Sequence, residues 1–132
     1  MTNEENWQPL LDDVQDITNS NGVLISKARQ LLFEKFGKNP ISVCKDKYGV
    51  IAYEYHDLIL CAKDYVYGNI VSCHKDLVKF AKEKNKQIVM FINKTGSFYQ
   101  FEVDKILREG IDNKRGGEIM INFEIKLGRA VK

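Results

Sequence analysis

Apolar positions recur along this chain with two different periods, and each change of period marks an element. Trp7, Leu10, Leu11, Val14 and Ile17 fall at helical spacing and predict an amphipathic helix over 6–18. Asn6 is its expected N-cap, because that choice leaves Pro9 in the first turn, where a missing N–H is harmless. The run Asn19-Ser20-Asn21-Gly22 carries turn chemistry and should end this helix. A second helix sends Ile25, Ala28, Leu31, Leu32 and Phe36 toward a core and stops at Gly37, with Pro40 just beyond.

The pattern then becomes extended. Tyr48 to Tyr55 and Leu58 to Lys63 are rich in β-branched and aromatic residues, with only His56-Asp57 between them, and predict a β-hairpin. A loop follows over Tyr65 to Asn69. Ser72 should cap a third helix whose buried face is His74, Leu77, Val78 and Ala81. Gln87 to Ile92 is a short continuous apolar run, the signature of a central strand covered on both faces. After a turn at Asn93 to Gly96, a strand carries Tyr99, Phe101 and Val103 on one face. Asp104 should cap a short helix through Glu109, and Asn113 to Gly117 reads as a basic, Gly-containing loop. The final strand, 118–127, alternates: Ile119, Ile121, Phe123, Ile125 and Leu127 inward, Met120, Asn122, Glu124 and Lys126 outward.

Without internal repeats or linkers, the chain reads as one α/β domain, 1–132, with a mixed central sheet flanked by helices. Its 132 residues suffice for a single core. A 44% hydrophobic and 29% charged composition is ordinary for a globular protein, and a net charge of +2 does not by itself demand a nucleic-acid partner. No apolar run reaches the roughly 18 residues of a membrane span. Cys44, Cys61 and Cys73 are widely spaced, an odd number with no CxxC pair, so free thiols in a reducing, cytoplasmic compartment are expected.

The element order helix, hairpin, helix, strand, with Cys61-Ala62-Lys63 closing the hairpin, resembles the PD-(D/E)xK nuclease superfamily, which includes archaeal Holliday-junction resolvases and restriction-endonuclease-like domains. The resemblance covers Ser26 to about Val103, a core of 24–103. It implies a restriction-endonuclease-like fold. It also implies an aspartate on the first hairpin strand, and an acid, a spacer and a lysine at the end of the second. Gly49 stands at the first position, Cys61 at the second and Lys63 at the third, so only the lysine of that set is present. Mg²⁺ prefers carboxylates and water over sulfur, and without two acids Lys63 has no metal to assist. The resemblance therefore implies a catalytically inactive relative, needing no cofactor, that binds nucleic acid or a protein acting on it. The alternative is a Mg²⁺-dependent DNA endonuclease with displaced acids, drawn from Glu34, Glu54 and Asp57 together with Lys63. Strand alternation weighs against it: Asp64 faces away from Lys63, Asp57 lies at the far end of the hairpin, and Glu54 is core-facing only if paired. A third reading is a protein-interaction scaffold without nucleic-acid binding.

Lys75, Lys79, Lys82 and Lys86 fall within a narrow arc of the third helix and form a candidate phosphate-tracking row, which Lys63, Lys114 and Arg115 would extend. A solvated helix face, partly neutralised by Asp76 and Glu83, is the rival explanation. Cys73-His74 does not suggest zinc, since adjacent helix residues diverge by about 100° and no paired-ligand spacing exists. No Gly-rich phosphate loop or small-molecule substrate site is evident. DNA is the favoured partner, and a homodimer is expected from resolvase-like relatives, with the final strand as a sheet edge that pairs.

Overall fold

The computed structural model describes residues 20–45, 51–63, 70–115, 118–124 and 129–130. Its elements are α1 (Ser20–Phe36), β1 (Ser42–Lys45), β2 (Ile51–Glu54), β3 (Leu58–Lys63), β4 (Ile70–His74), α2 (Lys75–Glu83), β5 (Gln87–Ile92), β6 (Ser97–Phe101), α3 (Val103–Glu109), β7 (Ile111–Arg115), β8 (Glu118–Glu124) and β9 (Arg129–Ala130). Together they form an α/β domain with a mixed sheet, as the hydrophobic pattern predicts. The expected helix 6–18, the loop 65–69 and Gly49 lie outside the described residues.

The main sheet has the order β1-β2-β3-β5-β6-β9. β1, β2 and β3 form an antiparallel meander, with Tyr53 opposite Leu60 and Glu54 opposite Ile59 across the hairpin. The chain then crosses over through β4 and α2 and returns as β5, parallel to β3, with Cys61 opposite Met90 and Lys63 opposite Ile92. Parallel neighbours require such a crossover, which is why a helix separates them in sequence. β6 completes this half as an antiparallel partner of β5.

Period-two alternation divides the core into two clusters. Ile51, Tyr53, Leu58, Leu60, Ala62, Val89, Phe91 and Phe98 face α1 and bury its Leu24, Ile25, Ala28 and Leu32. Ala52, Ile59, Cys61, Ile88, Met90, Ile92 and Phe101 face the other way. They meet Leu77, Val78 and Ala81 of α2, Val103 and Ile106 of α3, and the inner face of a second sheet. That sheet has the order β4-β8-β7. Gln87 to Ile92 is thus covered on both faces, as its unbroken apolar run implies.

Several local expectations fail, each for a tertiary reason. Ser20 to Gly22 are not a turn but the opening of α1, whose backbone ladder overrides their turn preference. α1 does end as expected, with Gly37 at φ 68 and its N–H donating to Phe33 O at 2.7 Å. β1 was not foreseen, because four residues hold too little periodicity to announce a strand. Ser72 is not a cap: it lies within β4, opposite Asn122 of β8, and α2 starts after His74. The expected helical face His74, Leu77, Val78 and Ala81 is nonetheless buried. Val103 reaches the Tyr99–Phe101 side of the sheet from α3 rather than from a strand, and Glu102, not Asp104, precedes the helix. Asn113 to Arg115 belong to β7, not to a loop. Ile121 and Phe123 face inward as expected. But β8 lies between β4 and β7, so hydrogen-bonding partners flank it on both sides and it is not a pairing edge.

Gly110 couples α3 to this second sheet. A Cβ there would collide with Ile121 Cγ2 and come within 2.5 Å of Ile106 O. Gly110→Ala is therefore expected to destabilise the domain by about 1–3 kcal/mol through forced repacking. An unchanged denaturant midpoint would show that the α3–β7 junction yields without strain.

Candidate functional site

β3 positions the residues that carry the resemblance. Alternation sends Cys61 and Lys63 toward the face that also holds Ile59 and Ile92, at the carboxyl end of the parallel β3–β5 pair. Cys61 is buried among apolar side chains. A hydrogen bond with the Cys73 thiol, together with burial, raises its pKa well above the usual thiol range, so it stays protonated. A neutral, buried thiol is a poor ligand for a hard divalent ion.

The acids proposed as displaced ligands do not reach Lys63. Glu54 is core-facing and paired, the one condition under which its strand position could be inward. Lys86 Nζ donates to its Oε2 at 2.6 Å, and Ser42 Oγ donates to its Oε1 at 2.7 Å. The two charged side chains are only 10% and 12% exposed. Burial pushes the Glu54 carboxyl up, but hydrogen bonds from Lys86 and Ser42 and the charges of Lys86 and Lys84 outweigh it and lower its pKa. Glu54 lies opposite Ile59, four residues before Lys63, which places it about 13 Å away along the strand. Asp57 occupies the hairpin turn beyond it and pairs with Lys38 at 2.5 Å. Glu34 is exposed near the end of α1 and accepts a hydrogen bond from Gln30 Nε2 at 3.2 Å. Asp64 lies outside the described residues. Among the described residues, no three His, Cys, Asp or Glu side chains come together to hold a metal ion.

The lysine row is also less open than its spacing suggests. Lys75 pairs with Asp112 at 3.0 Å and Lys82 with Asp104 at 2.9 Å. Lys86 is not on the helix, which ends at Glu83; it is turned inward to Glu54 and to Tyr55 O. Lys79 alone of the four is exposed and outside any ion pair among the described residues. Lys114 and Arg115 fall on β7, with side chains outside the described residues. Tyr53 and Tyr55 are buried, so neither offers a face for stacking a base.

Sequence reasoning missed what surrounds Lys63. Asn93 follows β5 and donates its backbone N–H to Lys63 O at 2.8 Å. Its Oδ1 accepts from Lys27 Nζ of α1 at 3.1 Å, and Lys94 is the next residue. Lys27 and Asn93 are 66 positions apart, so no local pattern could join them. No family model matches the chain, and no curated protein matches it either.

Proposed function

We propose that this chain is a nuclease-like domain that has lost its metal-dependent chemistry and serves as an accessory module on nucleic acid, or on a protein working there. Glu54 carries the reading. The one acid of the hairpin that points into the fold is neutralised by Lys86, at the opposite end of β3 from Lys63. Two supports accompany it: the order helix, hairpin, helix and parallel strand around Cys61-Ala62-Lys63, and the protonated thiol where an acid would be required. No described helix is long and apolar enough to cross a membrane. Cys44, Cys61 and Cys73 are free thiols, which supports placement in the cytoplasm. A homodimer would pair through β1, β4, β7 or β9, each of which has one edge without a strand partner among the described residues.

The test is incubation with labelled single-stranded, duplex and branched DNA in Mg²⁺ or Mn²⁺. The expected outcome is no cleavage, with binding that weakens as salt rises. Metal-dependent cleavage abolished by Lys63→Ala or Asp57→Asn would establish the displaced-ligand endonuclease instead. Absence of any nucleic-acid binding at low salt would leave the scaffold reading.

A further inference from the structure

We propose that the carboxyl ends of β3 and β5 carry a phosphate-binding site on their α1 side, in which Lys27 and Lys94 flank Asn93. In open α/β sheets, ligands collect outside the carboxyl ends of parallel strands, where crossover connections leave a crevice. β3 and β5 are the parallel pair of this sheet, and both end at this point. Two exposed cations stand here on two elements: Lys27 of α1, bonded to the Asn93 side chain, and Lys94 in the turn after β5; Lys63 lends its backbone carbonyl to Asn93, its side chain being on the α2 side of the sheet.

Asn93 ties these elements together. Its main chain is bonded to Lys63 and its side chain to Lys27, which holds the α1 lysine at the strand ends. The turn bearing Lys94 is built tightly. Gly96 N–H donates to Ile92 O at 2.8 Å, and Thr95 Oγ1 donates to the same carbonyl at 3.2 Å. Tyr99 OH donates to Thr95 Oγ1 at 3.3 Å. Gly96 adopts φ 68, a conformation that favours glycine and closes the turn. The turn's backbone is therefore set before any ligand arrives.

Charge separates this end from α2. Lys75 and Lys82 each have a carboxylate partner, whereas Lys27, Lys63 and Lys94 form no ion pair among the described residues. Cations with no carboxylate partner among the described residues suit phosphate oxyanions, whether on a nucleic-acid strand or a free polyphosphate. The nucleic-acid source rests on the function proposed above; the anion site does not.

Fluorescence anisotropy of labelled single-stranded and duplex DNA, followed from about 50 mM salt upward, tests both. Lys27→Ala/Lys94→Ala is expected to weaken binding at least about tenfold and to reduce the salt slope by about 2. Lys75→Ala/Lys82→Ala should leave both nearly unchanged, and Lys27→Arg/Lys94→Arg should retain binding. Both lysines are exposed, and circular dichroism checks that the variants fold. Inorganic tripolyphosphate, titrated by NMR, should shift the amides of Lys63, Asn93 and Lys94. If DNA binds and the Lys27/Lys94 variant binds as well as the parent, the site is wrong while the nucleic-acid reading stands. If tripolyphosphate shifts these amides but no DNA binds, the site stands and the nucleic-acid reading falls. If neither ligand acts, both are overturned.

Discussion

Lys86→Ala is expected to destabilise the domain by about 3 kcal/mol or more, because it strands a buried carboxylate. Lys86 Nζ bridges Glu54 Oε2 and Tyr55 O, both at 2.6 Å, so its removal leaves an anion and a carbonyl without their donor. The effect should depend on pH in a defined direction. In the parent, burial pushes the Glu54 carboxyl up, but the donors Lys86 and Ser42 win and its folded pKa lies below the ordinary value. The folded state then binds fewer protons than the unfolded chain. The stabilisation is complete above the unfolded carboxyl pKa, roughly 4.3, and is lost as pH falls through the folded value. In Lys86→Ala the burial remains while the main donor is gone, so the carboxyl shifts upward and the variant loses stability as pH rises. The gap between parent and variant should be wide at neutral pH and narrow below about pH 4. Urea denaturation across that range measures it, and a gap independent of pH would show that the pair is not what holds this corner. Glu54→Leu/Lys86→Met removes both charges together and should recover much of the loss.

Phe101→Ala is expected to lower stability by about 3–5 kcal/mol, the range for a fully buried aromatic whose cavity does not collapse. Phe101 closes β6 with no exposed surface and meets Phe123 of β8 edge-to-face, with ring centroids 4.5 Å apart. The pair joins the main sheet to the second one, so the variant should loosen β4, β7 and β8 before the parallel pair unfolds. Hydrogen exchange resolved by strand would show this as early loss of protection at Val71, Cys73 and Ile121. Uniform loss across both sheets would mean that the two unfold as a single unit. A double-mutant cycle with Phe123→Ala should leave a coupling of about 0.5–1.5 kcal/mol attributable to the ring pair.

The two ends of β3 hold their charges differently. Lys86 secures the end where Glu54 is consumed in pairing. The tight turn after β5 lies at the other end, where Asn93 is bonded to Lys27 and to the Lys63 carbonyl. A displaced metal site would need an acid at the second end, and the described structure puts its hairpin acids at the first.

What a single residue window contains was readable in the chain. The hairpin at Leu58 to Lys63, the doubly covered strand at Gln87 to Ile92, the inward face of α2, and the helix stop at Gly37 all follow from two- or 3.6-residue periodicity and turn chemistry. So did the condition on Glu54, since strand alternation alone demands a partner for an inward carboxylate. The identity of that partner was not readable: Lys86 lies 32 positions away and sits on a helical spacing that suggested a phosphate-tracking row. The second sheet escaped for the same reason, because β4 becomes a strand only by pairing with β8, some fifty residues later. Local preference sets which segments are apolar on which side. Long-range hydrogen bonding and desolvation then choose among their pairings, and at this protein they decided which charges are spent inside the fold and which stay at its surface.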